Sequence, residues 1–254
     1  MSWTVKSFGK LGVLRNPLLI EGLPGIGNVG KVTTDFIIDQ LKAKKLFEFK
    51  GISIPHSVFV NEKNLVELPK IEVYYAKTAQ RDVLLLAGDV QPLTEESCYE
   101  FCDAVLNLCA KLNCKEIIAL GGIGLKQIPK KPKLYCTGTE KVFVAAFSKA
   151  TGVSNKLYGV VGPIVGVSGV LVGLAQERGI NAVALLSETY GHPMYLGLRG
   201  AKEMLAVLSK YAKIKLDVSV LDRDMAELEE EMLTREVLPK YRKFPPKAET
   251  SYIG

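Results

Sequence analysis

The sequence has few of the residues that build metal sites, disulfide frameworks and nucleic-acid grooves. Its 254 residues include five Cys, two His and one Trp. No two cysteines form a C-x-x-C pair, and two histidines cannot complete a zinc site, so we expect neither a metal nor a disulfide scaffold. Aromatic residues are not interleaved with Lys or Arg in a stripe, which argues against a nucleic-acid partner.

Secretion and membrane insertion are also poorly supported. The first six residues, MSWTVK, lack the charged start and apolar core of a secretory signal, so a cytoplasmic location is expected. Residues 157–176 carry no charge and are long enough to span a bilayer. Glycines and Pro163 divide this stretch into a turn and a helix of about 13 residues, the length of a buried crossover helix. No membrane partner is therefore expected.

The composition is that of a globular protein. Apolar residues make up 48% and charged residues 24%, with a net charge of +6. This is enough apolar side chain to offset the entropy of ordering the chain. We predict one α/β domain over residues 1–236, including a C-terminal helix, and a flexible basic tail over residues 237–254.

Short apolar runs alternate with helical patterns along the chain, which predicts a mainly parallel sheet covered by helices on both faces. Successive strands in residues 47–76 predict an antiparallel extension. Strands are predicted at residues 18–22, 47–54, 71–76, 83–87, 116–120, 157–161 and 182–186. Helices are predicted at residues 29–44, 94–112, 140–150, 166–178 and 201–211. In the helix from Thr94, Cys98, Cys102 and Cys109 share one face, so they are expected in the core.

A last helix is predicted after this alternating region. Residues 221–231 carry six acids and one Arg. Leu221, Met225, Leu228 and Met232 form an apolar stripe along the helix, and such a face must be covered by its own domain or by a neighbouring molecule. We therefore expect a homo-oligomer with closed symmetry.

A glycine-rich turn is the sharpest local motif. Gly25, Gly27 and Gly30 match G-x-G-x-x-G between a predicted strand and a predicted helix, which is typical of a dinucleotide loop. Glu48 follows near a second strand, roughly where a ribose-binding acid would stand. Pro24 stiffens the turn, however, and glycine is also required wherever close packing leaves no room for a Cβ. Both a ligand loop and a purely structural turn remain open.

Catalytic candidates are few. Glu188 follows the end of a strand, where α/β enzymes place their acids, and is the best single candidate. His56 and His192 lie beside prolines without a partner at motif spacing, and Ser168 is not a nucleophile elbow because Val170 replaces the required glycine. The loop from Lys126 to Lys133 has four lysines and no acid, so it is either a solvated loop or a surface for an acidic partner.

Four segments taken in order resemble the archaeal proteasome assembly chaperone family, which was once grouped by sequence with ATP-grasp enzymes. They are GLPGIGNVG at 22–30, IIALGG at 117–122, GPIVGVSGVL at 162–171, and LSETY at 186–190 followed by the helix from residue 201. The resemblance extends over about residues 16–232. It implies a three-layer α/β/α fold similar to purine nucleoside phosphorylases, without their catalytic set.

The resemblance also implies a function. Family members are expected to be homo-oligomeric, ATP-independent chaperones without a cofactor, whose partners are proteasome α subunits or a related paralogue. Some insert a C-terminal hydrophobic-Tyr-X motif into pockets between α subunits, which would make Tyr252, Ile253 and Gly254 partner-binding residues. This chain departs from that motif, because Tyr252 is third from the end and follows Ser251. The alternative is a nucleotide-binding enzyme of phosphorylase-like or ligase type that uses the Gly25–Gly30 loop.

Overall fold

An eight-stranded mixed sheet with helices on both faces forms the body of the protein. The computed structural model describes residues 3–9, 12–159, 161–192, 195–219, 221–223 and 225. The chain divides into two units, Met1–Asp217 and Val218–Gly254, and the sheet belongs to the first. In the second unit, the described residues 219, 221–223 and 225 are helical. The predicted C-terminal helix lies mostly outside the described residues, as does the whole predicted tail.

The elements alternate along the chain as the sequence pattern predicts. In chain order they are β1 (Trp3–Ser7), β2 (Leu18–Gly22), a 3-10 turn (Ile26–Asn28), α1 (Val29–Leu41), β3 (Lys44–Gly51), β4 (Phe59–Val60), β5 (Val66–Glu67), β6 (Ile71–Lys77), β7 (Asp82–Gly88), α2 (Glu95–Lys111), β8 (Glu116–Leu125), β9 (Leu134–Gly138), α3 (Lys141–Thr151), α4 (Val167–Ala175), a second 3-10 turn (Gln176–Arg178), β10 (Asn181–Tyr190) and α5 (Leu198–Ala212).

The strand order of the large sheet is β1-β3-β6-β7-β2-β8-β10-β9. The central strands β7, β2, β8 and β10 pair in parallel, while β6, β3 and β1 continue the sheet by antiparallel pairing on one side and β9 on the other. Of the eight strands, β3, β7, β2, β8 and β10 therefore run in one direction. The predicted α/β class and the antiparallel extension are both confirmed.

The central strands are buried on both faces, which explains their continuous apolar sequences. Every residue of β2 is buried, as are residues 82–87 of β7. Helices α2 and α4 pack together over one face of the sheet, while α1 and α3 contact α5 on the other. Cys98, Cys102 and Cys109 lie buried in α2, as predicted, and all five cysteines are free.

Two expectations for the sheet are wrong. Residues 157–161 form an isolated bridge between Tyr158 and Val161 rather than a strand, and Gly159 turns the chain there with φ 78°. Strand β9, which the sequence pattern does not predict, forms this edge of the sheet and pairs antiparallel with β10. Strand β8 also continues to Leu125, beyond its predicted end at residue 120, so the glycines at 121–124 lie within the strand. Among the described helices, none is long and apolar enough to cross a membrane.

Candidate functional site

Three glycine-rich segments meet at the carboxyl ends of β2 and β8 and surround a cavity of about 680 Å³. The crevice outside the carboxyl ends of parallel strands is the usual ligand position in α/β sheets. The walls come from the loop after β2, the second half of β8 and the segment that leads into α4. The described lining residues are Leu23, Gly25, Ile26, Gly30, Gln91, Leu120, Gly121, Gly122, Ile123, Gly124, Val161, Gly162, Pro163, Ile164, Val165, Gly166, Ser168 and Leu186.

Close packing accounts for the glycines of the loop after β2. A Cβ on Gly22 would lie 2.3 Å from the carbonyl oxygen of Gly30, and one on Gly30 would lie 2.9 Å from that of Leu120. Gly27 has a left-handed φ of 62°, and a Cβ there would lie 2.4 Å from Thr189 Oγ1. These glycines allow the start of α1 to approach β8 and β10 closely. The contacts favour the structural-turn interpretation of the motif.

The glycines of β8 are under the same constraint, which gives a first prediction. A Cβ on Gly122 would lie 2.2 Å from the carbonyl oxygen of Ile26. We expect Gly122→Ala to lower the free energy of unfolding by about 2 kcal/mol, the usual cost of overpacking. Gly162→Ala is the control, because no atom lies within 4 Å of its Cβ position. Urea unfolding compares the two variants, and equal midpoints would contradict the close approach.

The described lining of the cavity offers no cation to a dinucleotide phosphate. Among the described residues that line it, none is charged. Lys31, next to the glycine motif, donates to the carbonyl of Gly88 and forms an ion pair with Asp35 at 3.0 Å. Glu48 does not take the ribose position either, because β6 and β7 separate β3 from β2. Its carboxylate pairs with Lys45, whose hydrogen bond lowers the pKa of Glu48.

A buried carboxyl group lies beside this cavity. Glu21, in β2, has no exposed surface. Its Oε1 accepts a hydrogen bond from the N–H of Leu23 at 2.9 Å, and its Oε2 lies 2.9 Å from Ser168 Oγ. Burial raises the pKa of Glu21 to about 7, although the hydrogen bonds from Leu23 and Ser168 partly oppose the shift. The carboxyl group therefore changes protonation near neutral pH.

The protonated form of Glu21 satisfies the hydrogen bonds around Ser168. Ser168 Oγ also lies 3.0 Å from the carbonyl oxygen of Leu120. A hydroxyl carries one proton, so it cannot donate to the Leu120 carbonyl and to an ionised Glu21 at once. When Glu21 is protonated, it donates to Ser168 and Ser168 donates to Leu120. All three oxygens are then satisfied.

Gln91 connects two walls of the cavity. Its Nε2 donates to the carbonyl oxygen of Pro24, in the loop after β2, and its Oε1 accepts from the N–H of Val167 at 3.0 Å, at the start of α4. One side chain thus holds both segments in place. Neither Gln91 nor Glu21 belongs to a sequence motif. In the sequence, Glu21 stands out only as an acidic residue inside the apolar run of β2.

The structure does not bring Glu188 or His192 into the described lining of this site. Glu188 accepts the N–H of Lys133 at 3.0 Å, and its Oε1 lies 3.5 Å from the hydroxyl of Tyr135, so it holds the edge strand β9. It is not among the described lining residues. His192 stacks on Tyr190 with ring centroids 5.7 Å apart. Gly25 and Gly30 do line the cavity, whereas Gly27 is buried against Thr189.

The lysine loop connects β8 to β9, and Arg199 Nη1 donates to the carbonyl of Lys130 at 3.3 Å. Tyr252, Ile253 and Gly254 lie outside the described residues, so their predicted role stays a prediction. No group of three or more His, Cys, Asp or Glu that could hold a metal ion is found in the described part of the chain.

Comparisons with known proteins agree with the fold and with the resemblance. The chain is 27% identical over 247 residues to MJ1210, an uncharacterized protein of Methanocaldococcus jannaschii, covering 95% of this chain and 93% of that one. The structure of this chain is similar to that of PbaB of Pyrococcus furiosus. The TM-score is 0.84 and the identity 30%, and the match covers 92% of this chain and 98% of PbaB. PbaA of the same organism shares the fold, with a TM-score of 0.75, 23% identity, and coverage of 91% and 90%. The model of the PAC2 family matches residues 19–234, and the chain therefore belongs to the PAC2 family.

Proposed function

We propose that the protein is an ATP-independent proteasome assembly chaperone or proteasome-binding adaptor that acts as a homo-oligomer in the cytoplasm. The observation that carries this proposal is the likeness to PbaB, described as an archaeal proteasome activator, along 92% of the chain. PbaA, described as an archaeal homolog of proteasome-assembly chaperone, shares the fold. The partners are proteasome α subunits or a related chaperone paralogue.

The C-terminal residues are the proposed contact with the α subunits. Tyr252 supplies an aromatic anchor, followed by Ile253 and the carboxylate of Gly254. A terminal carboxylate and a neighbouring aromatic ring suit a pocket that contains a lysine. Capture of proteasome α-rings by the full chain and by a chain that ends at Ser251 tests this contact.

An exposed apolar hairpin supports self-association. Strands β4 and β5 form a two-stranded sheet of their own, apart from the large sheet. An isolated hairpin is marginally stable in water, and contiguous exposed apolar surface marks interaction sites. Five apolar side chains in and beside the hairpin are each at least half exposed: Val58, Val60, Leu65, Val66 and Leu68. We infer that another copy of the chain covers this hairpin.

The hairpin gives a second prediction. We expect Val66→Asp combined with Leu68→Asp to lower the molar mass of the protein in solution, because two buried carboxylates would oppose the interface. Val142→Asp is the matched control, since Val142 is 79% exposed on α3, outside the hairpin. Light scattering coupled to gel filtration measures the mass. An unchanged oligomer in the double variant, with native circular dichroism, would remove the hairpin from the interface.

The alternative, a nucleotide-binding enzyme, has less support from the geometry. Backbone N–H groups at a helix N-terminus can bind a phosphate, and cationic side chains strengthen such sites. The described lining of the cavity has no cation, and the Glu21 carboxyl group is hydrogen-bonded to Ser168 in its wall. Glu188, the acid this enzyme would use, holds β9 instead.

A further inference from the structure

The cavity beside Glu21 is not used by the proposed chaperone function. Its volume of about 680 Å³ falls within the usual range for small-molecule sites. Apolar walls, a few polar groups and a nearby carboxyl group with a raised pKa are what such sites have in common. Two walls of the cavity are also fixed relative to each other, since Gln91 connects the loop after β2 to α4.

Two polar side chains in the lining have unused hydrogen-bonding capacity. Ser168 Oγ keeps a free lone pair in either protonation state of Glu21, so it can accept a hydrogen bond from a ligand. The amide nitrogen of Gln91 has two protons and uses one of them on Pro24, so it can donate the other. Both side chains lie at the start of α4. Gln91 Oε1 accepts a hydrogen bond from the N–H of Val167, the residue that precedes Ser168. The site thus offers one acceptor and one donor.

The absence of charged side chains from the described lining disfavours ionic ligands. No described lining residue is charged, so an anion would lose its hydration without gaining a counterion. The titratable groups near the wall are Glu21 and, on α2, the thiols of Cys98 and Cys102, which both interact with Glu21. All three groups are acids, and none can compensate a negative charge. A neutral ligand meets no such penalty.

The glycines determine the shape of the walls. Gly121, Gly122 and Gly124 of β8 face a second segment that contains Gly162 and Gly166. Neighbouring protein atoms occupy the Cβ positions of the β8 glycines and of Gly166, whereas Gly162 has no atom within 4 Å of its Cβ position and leaves its backbone accessible to a ligand. Apolar side chains, among them Ile26, Ile123 and Ile164, fill the remaining surface.

From these features we propose that the cavity binds an uncharged small molecule that carries an amide group. The amide N–H donates to Ser168 Oγ, and the amide carbonyl accepts from Gln91 Nε2. This site is independent of the proteasome contact, so either proposal can fail without the other.

Matched pairs of neutral and anionic compounds test the proposal. The probes are nicotinamide against nicotinate and uracil against orotate, titrated into the ¹⁵N-labelled full-length protein. Ligands of this size are expected to bind with Kd of about 1 mM. We expect at least one neutral compound to shift the side-chain amide signals of Gln91, and to bind at least about tenfold more tightly than its anionic partner. Absence of any shift with both neutral compounds, or equal binding of the anions, would overturn the proposal.

A pair of glycine variants locates the binding. Gly162 lines the cavity and has no atom within 4 Å of its Cβ position, so Gly162→Phe adds a ring to the wall without a clash at Cβ. Gly173, on α4, has equally open space and does not line the cavity, which makes Gly173→Phe the control. We expect the first variant to lose binding and the second to keep it. Binding retained in Gly162→Phe would place the ligand elsewhere.

Discussion

A chain that ends at Ser251 is expected to lose capture of proteasome α-rings while its fold and oligomeric state stay unchanged. The deletion removes none of the described hydrophobic core, which lies almost entirely in the first unit, from Trp3 to Ile214. A buried aromatic anchor is worth about 2 kcal/mol or more. Several copies on one oligomer multiply that loss through effective concentration, so the deletion should abolish binding rather than weaken it.

Substitutions of two tyrosines in the same tail distinguish the loss of an aromatic anchor from a general effect of changing the tail. Tyr252→Ala should cause most of the loss, whereas Tyr241→Ala should bind as the unmodified chain does. Raising the salt concentration should weaken capture only in part, because the charges of Lys240, Arg242, Lys243 and Lys247 are screened while burial of the ring is not. Surface-immobilised α-rings give both measurements. Full capture by the truncated chain would rule out the tail and direct attention to the lysine loop.

Glu21→Gln is expected to stabilise the protein by about 3 kcal/mol at pH 8 and by less than about 1 kcal/mol at pH 5. In the folded protein, burial raises the pKa of Glu21 from 4.5 to about 7. The folded state therefore holds this proton more tightly than the unfolded state does. The stability that the proton provides is complete below about pH 4.5 and is lost as the pH rises to about 7 and above. Glutamine keeps the neutral hydrogen bonds to Ser168 and Leu23 at every pH.

A second carboxyl group provides the control for this pH dependence. Glu188→Gln alters an acid that is only partly buried and that accepts the N–H of Lys133. We expect its stability to follow that of the wild-type protein in parallel from pH 5 to pH 8. Urea unfolding at several pH values measures all three proteins. If the wild type and Glu21→Gln also ran parallel, the buried carboxyl group would not titrate in this range.

Elements with a complete local pattern could be predicted closely from the sequence. The prediction of a helix over residues 94–112 agrees with α2, where Thr94 is the N-cap and accepts the N–H of Ser97. The cap, the two acids of the first turn and the apolar stripe with its cysteines all lie within one segment. Local hydrogen bonds and the 3.6-residue period therefore carry the information.

Edge strands were missed because their stability comes from a distant partner. In β1 only Trp3 is buried, so the strand shows no alternation of apolar residues. It is held by pairing with β3 and by the indole of Trp3, whose N–H donates to the carbonyl oxygen of Ser97 at 3.1 Å. Strand β9 is likewise held by β10 and by Glu188. Contacts of this kind leave no periodic pattern in the strand itself.

The sequence alone predicts the α/β class, the family resemblance, the buried cysteines and the position of the glycine-rich turn. Each of these depends on residues that are neighbours in the chain. Only the tertiary structure decided how that turn is used. Gly22 and Gly30 meet across the turn, Gly122 lies against Ile26, and Glu21 meets Ser168 from 147 residues away. Close approach of backbones and burial of a carboxyl group are properties of packed surfaces, and local sequence does not encode which surfaces will meet.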